Sequence, residues 1–347
     1  MGTRSAGPDA VAVESLAAGA LQWIRLHSGY LDSPSGRAEL PVTPRVKALL
    51  QLALLRRSWE RAVPSDPGLA EVTGTVERVW RSPAHPALLV AEPRYAWQFK
   101  LMYGALAPAG LTDGPHRTAL AEVTAGGFLT PGRKSPFLHL ETRFYADLAG
   151  VGHRLHSYRR LYEASRLARH RDGQPVGEPD VCDVTHTLFH LSDFGFRDPG
   201  LTGDALEHAR DLVCRLTGDC VRNGDWDLTA KLVLAQHCLG LDPLGTPSGE
   251  AGLRLLGDVQ SPGGAVPGRS AADRADTTAT TAEFFRKAYQ ATLVTALTAL
   301  TVAHGRRGGA PDAGPPDGAR AAGGSAGPPA ADDATGRDRA PATRGAR

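Results

Sequence analysis

The chain has 347 residues, 41% of them hydrophobic and 22% charged, ample for one large helical domain or two smaller ones. Its net charge of +2 gives no electrostatic footprint for nucleic acid or an anionic membrane surface. No apolar run approaches the ~20 residues of a membrane span and no secretion signal opens the chain, so a cytoplasmic protein is expected.

In chain order, residues 1–9 are expected to be disordered. The spacing of Val13, Leu16, Ala20, Trp23 and Ile24 then predicts an amphipathic helix over 11–27, closed by Gly29 and the Asp-Ser-Pro-Ser-Gly run. Thr43 before Pro44 reads as a helix cap, with the helix continuing over 45–61. Its arginines (Arg45, Arg56, Arg57, Arg61) have no interleaved aromatics for base stacking and read as a solvated face. Further helices are predicted over 68–81, 86–105, 117–126, 136–148 and 155–169. Pro175 and Pro179 interrupt the pattern, and helices resume over 181–194, 202–223, 227–240 and 280–304. Gly74–Val79 is the best strand candidate and reads equally well as helix. The expected fold is all-α, one domain over 10–304. Residues 305–347, rich in Gly, Pro and Ala, cannot bury enough apolar surface to offset their ordering entropy and are expected to be a disordered tail.

The richest stretch is Asp180–Gly195, DVCDVTHTLFHLSDFG. On a helix Asp183, His186, His190 and Asp193 form one stripe, with Val181, Val184, Leu188 and Leu191 roughly opposite. Two histidines one turn apart can chelate a divalent metal, with Asp183 as a further ligand, or supply a general acid and base. The stripe also reads as a wet face, although it carries no Lys or Arg in an arginine-rich chain. Asp225 and Asp227 open the helix over 227–240. Either can cap it, or the pair can present two carboxylates. The four cysteines (Cys182, Cys214, Cys220, Cys238) contain no C-x-x-C pair and read as free, mostly buried thiols. No phosphate-binding loop, dinucleotide fingerprint, nucleophile elbow or H-E-x-x-H is present, so no nucleotide cofactor is expected.

Gln260-Ser-Pro-Gly-Gly-Ala-Val-Pro-Gly268 precedes a helix carrying Tyr289-x-x-Thr292-Leu293. This arrangement resembles the loop-to-helix repeat of α/α toroids, the paired-helix barrels of class II terpene cyclases, protein prenyltransferase subunits and lanthionine cyclases. Together with the Thr185–Gly195 block and the Asp227–Gly240 helix, it also resembles an uncharacterised actinobacterial family associated with specialised-metabolite gene clusters. The resemblance covers roughly residues 130–304, and the Ala-, Gly- and Arg-rich, lysine-poor composition suits a high-GC genome. It implies a toroid-like barrel whose inward polar residues line a central pocket. The expected function is a tailoring enzyme of cyclase or lyase type, acting on a peptide or similarly sized small molecule. His186, His190, Asp193, Asp225 and Asp227 would be its acid–base group, with metal assistance open. The competing expectation is a non-catalytic helical protein that binds a precursor peptide or partner enzyme.

Overall fold

The computed structural model describes residues 8–111, 114–132, 134–171, 174–274 and 282–305. The expected disordered ends therefore fall, apart from Pro8, Asp9 and Gly305, outside the described residues. Among those described, the chain is helical throughout and contains no strand; Gly74–Val79 is helix.

The helices are α1 (Pro8–His27), α2 (Pro34–Glu39), α3 (Val42–Ala62), α4 (Pro67–Arg81), α5 (His85–Leu89) and α6 (Pro93–Ala105). There follow α7 (Pro115–Ala125), α8 (Pro136–Leu148), α9 (Tyr158–Ala164), α10 (Arg166–Arg169) and α11 (Glu178–Ser192). The series ends with α12 (Gly203–Arg222), α13 (Trp226–Cys238), α14 (Pro247–Val259) and α15 (Ala282–Gly305).

Several boundaries differ from the sequence reading. The helix expected over 86–105 is two, because Pro93 opens α6 and pushes the residue before it out of the helical region. The helix expected over 155–169 begins only at Tyr158 and breaks at Ser165, whose hydroxyl accepts from the Ala168 N–H and caps a new turn. Thr43 lies inside α3, whose cap position is Pro41. The helix read over 181–194 starts at Glu178 and stops at Ser192.

Six helices form a closed circuit of neighbours. α3 packs on α6, α6 on α8, α8 on α11, α11 on α13, α13 on α15, and α15 returns to α3. The others lie on these six: α4 on α3, α7 on α6, α9 on α8, α10 on α11, α12 on α13, α14 on α12 and α13, and α1 along α15. Side-chain contacts fix the direction of travel. Phe137 near the start of α8 meets His186 with ring centroids 5.1 Å apart, and Phe144 farther along meets His190 at 5.2 Å. Lys231 in the first half of α13 reaches Cys182 in the first half of α11, while His237 near the end of α13 crowds Gly195 just beyond α11. So α8, α11 and α13 run the same way, and their N-terminal halves share one end of the circuit.

The loop after α14 explains the Gln260–Gly268 motif. Gln260 Nε2 donates to the carbonyls of Leu16 and Gly264, both at 3.1 Å, and thereby ties the loop to α1. Thr292 Oγ accepts from the Val266 N–H at 2.8 Å and donates back to its carbonyl at 3.2 Å. The motif therefore clamps α15 to the preceding loop.

Candidate acid–base site

His186 sits midway along α11 and is half-buried. Burial drives its pKa down to about 3, and the ammonium groups of Lys231 and Lys47 push the same way. Lys231 belongs to the neighbouring α13, and Lys47 to α3, which reaches the C-terminal end of α11 through Arg57 and Arg61.

Glu141 completes the group. It stands one turn beyond Phe137 on α8, on the seam with α11 that His186 also occupies. Burial raises its pKa to about 7, against the opposing pull of Lys47 and the Gln98 amide. It keeps a path to water and has no ion-pair partner in contact among the described residues. A carboxyl that titrates near neutrality can both give and take a proton there. Tyr145, one turn further along α8, is 1% exposed, and burial with the nearby Glu141 holds its hydroxyl protonated.

His190 lies one turn beyond His186 and is 2% exposed. Phe137, Phe144, Tyr145 and Phe194 surround its ring at 5.2–6.3 Å. Burial, then the neighbouring His186, hold it neutral. Enclosed by these rings, it packs as a neutral aromatic in the core.

The remaining candidates are dispersed. Asp193 is not on the α11 stripe: it follows the last helical residue with φ 49°, and its carboxylate takes a two-pronged bond from Arg57 at 2.7 and 2.8 Å plus one from Arg61 at 2.5 Å. That commits its carboxylate to the two arginines at the C-terminal end of α11. Asp225 occupies the cap position of α13, yet its side chain makes no cap bond and pairs with Arg269 at 2.8 Å. Asp227 lies in the first turn of α13, one turn before Lys231, exposed but raised in pKa by partial desolvation. Asp183 is likewise raised, by partial burial and by Asp180. Among the described residues no three His, Cys, Asp or Glu side chains gather as a metal site would require, so Asp183, His186 and His190 do not converge. All four cysteines are free; Cys220 and Cys238 are buried, and Cys182 and Cys214 are half-buried.

Sequence reasoning thus found His186 and missed Glu141, Lys47 and Lys231. A signal existed for each. Glu141 lies on the apolar stripe of α8, a turn from both Phe137 and Tyr145, and Lys47 and Lys231 are two of only five lysines, both flanked by helical apolar residues.

Fold and site together define an all-helical protein with titratable side chains along adjoining members of a closed helical circuit. Residues 17–300 match the family described as a domain of unknown function (DUF6895), and the chain belongs to that family. Comparison with curated proteins and with solved structures returns no match.

Proposed function

We propose that this chain is a tailoring enzyme of bacterial specialised metabolism, of cyclase or lyase type, acting on a peptide or similarly sized substrate held within an α/α-toroid-like ring. The closed circuit, with α8, α11 and α13 running the same way, supports the architecture. The observation that carries the activity is Glu141: a half-buried carboxyl on α8, hydrogen-bonded to Gln98 rather than ion-paired, its pKa raised by burial to about 7, on the helix that packs against the neutral His186 of α11. Glu141 gives and takes the proton. His186, too weakly basic to be the main base, orients the reacting group by hydrogen bonding, and Lys47 and Lys231 stabilise negative charge that develops on it. Cyclisation would leave the substrate's mass unchanged, and elimination would remove water or ammonia.

The test is untargeted mass spectrometry of small molecules and peptides from the producing cells, incubated with wild type, Glu141→Gln or His186→Ala. The expected result is an isobaric or dehydrated product made by wild type, reduced by about a hundredfold or more in Glu141→Gln. Binding without any product, with affinity lost in His186→Ala, would establish the helical binding protein instead. A product made equally by Glu141→Gln would overturn the role of the carboxyl.

A further inference from the structure

All four cysteines are free thiols, and they differ in what surrounds them. Cys220 and Cys238 are 6% and 2% exposed, and burial pushes their thiols up to about 11 and about 12. Cys214 is half-buried, and partial burial raises its thiol too. Cys182, half-buried in the first half of α11, meets an amine: Lys231 Nζ of α13 lies 3.6 Å from its Sγ, within the hydrogen-bonding range of sulfur. Lys231 is also half-buried, so solvent reaches both partners. Asp227, exposed one turn before Lys231, draws on the same amine without touching the sulfur's chemistry. The pair bridges two packed members of the circuit, 49 residues apart in sequence. A bond between them would therefore join α11 to α13.

From this contact we propose that Cys182 and Lys231 are an oxidative modification site, at which a hydroperoxide joins them through a reversible sulfur–nitrogen bond across the α11–α13 seam. Hydrogen peroxide first gives one oxygen to the thiol. Its O–O bond breaks as the S–O bond forms, the sulfur is oxidised to a sulfenic acid, and the peroxide is reduced to water. Lys231 then attacks that sulfur as the free amine, its ammonium proton having passed to solvent. The S–N bond forms, the S–O bond breaks, and the hydroxyl leaves as water with a proton from the nitrogen. Sulfenic acids condense with a thiol or a nitrogen held against them, and the nitrogen in contact here is Lys231 Nζ. Two molecules of an added thiol reverse the bond, restoring both side chains and leaving as one disulfide. The modification also takes the Lys231 ammonium out of the proposed acid–base group and so acts as an oxidative brake on that activity. The bond itself needs only the Cys182–Lys231 contact and stands apart from the enzymatic reading.

The test treats native full-length protein with hydrogen peroxide and maps its tryptic peptides by mass spectrometry, before and after dithiothreitol. Expected is a peptide pair joined through Cys182 and Lys231, lighter by two hydrogen atoms than its separate parts and uncut after Lys231. Alkylation of Cys182 by iodoacetamide in the folded protein should fall about tenfold after peroxide and return with dithiothreitol. These readings on the wild type require no variant to fold. Lys231→Arg keeps the positive charge without the attacking amine, and it should leave Cys182 as a sulfenic acid that dimedone traps. Protein unfolded in urea before the peroxide should yield no joined pair. Cys182 passing on to sulfinic or sulfonic acid while trypsin still cuts after Lys231 would overturn the site. So would a pair formed equally in urea, or a Cys182 that peroxide leaves alkylatable. Failure to cross-link with Glu141-dependent turnover intact would reject the modification alone, and cross-linking in a protein without turnover would reject the enzymatic reading alone.

Discussion

Two carboxylates on neighbouring elements, Asp193 after α11 and Glu141 on α8, show how environment assigns opposite roles. Asp193 is held between Arg57 and Arg61 with 14% of its side chain exposed, and the left-handed backbone at Asp193 and Phe194 persists because that grip and the following Gly195 fix the turn. Asp193→Asn tolerates the same backbone but strands Arg57, so a urea melt should show a loss of about 2 kcal/mol; a loss under about 0.5 kcal/mol would mean solvent replaces the pair at little cost. Glu141, in contrast, has its folded-state pKa raised from 4.5 to about 7. The folded state favours the protonated acid, so the stability tied to it is full below pH 4.5 and declines as pH rises toward about 7. His186, depressed from 6.5 to about 3, has the opposite slope: its contribution is full above 6.5 and is lost as pH falls toward about 3. The two nearly cancel in the wild type at mildly acidic pH. Glu141→Gln exposes the difference, and it should be more stable than wild type at pH 8, by on the order of 2 kcal/mol, with the gain vanishing at pH 4. An equal effect at both values would show that Glu141 is not titrating across this range. Of the site, the sequence made His186 visible through its i,i+4 partner. It could not show which carboxylate would meet it, because α8 and α11 come together only through packing.

At the level of elements, helical periodicity located most of the long helices, and failed where glycine disguised it. No helix is predicted over α14, where Gly249, Gly252 and Gly257 interrupt Pro247–Val259. The first two glycines are there for proximity: a Cβ at Gly252 would lie 2.8 Å from Val233 and 2.9 Å from Thr229 on α13, and one at Gly249 would lie 2.4 Å from the Pro243 carbonyl. Around this contact the fully buried Gln236 donates to Thr217 at 3.0 Å and Ser248 at 3.1 Å and accepts from Thr246 at 2.6 Å. One amide thus joins α12, α13 and the capped start of α14, a tertiary arrangement that no local pattern announces. The Gln260–Gly268 loop shows the same principle at α1. Gly264 has φ 88°, and a Cβ there would fall 2.1 Å from the Gly19 carbonyl oxygen. Gly264→Ala should therefore lower stability by about 3 kcal/mol through backbone strain and displacement from α1. A thermal midpoint within about 2 °C of wild type would show that the loop is not docked as the hydrogen bonds to Leu16 and Thr292 imply.

The closed circuit of α3, α6, α8, α11, α13 and α15 has a consequence for the molecule as a unit. In an open stack an end helix can detach while its neighbours hold, but in a circuit each of the six has two neighbours and losing one opens the whole. Composition and periodicity could announce helices but not this closure, because α15 meets α3 across more than two hundred residues of chain. Two thiols make closure measurable. Cys238, 2% exposed at the end of α13, has its pKa raised to about 12 by burial, so it should resist alkylation until the circuit opens. Cys182 at the other end is half-buried against Lys231 and should react in the native protein. If the circuit unfolds as one cooperative unit, the free energy of exposing Cys238, read from its alkylation rate across a urea series, should equal the global value from circular dichroism within about 1 kcal/mol. A Cys238 opening free energy several kcal/mol below the global one would mean that the α11–α13 seam parts while the rest stays folded. In that case the proposed substrate site beside His186 would have a lateral route of entry, and the ring would have to be regarded as a gated cleft.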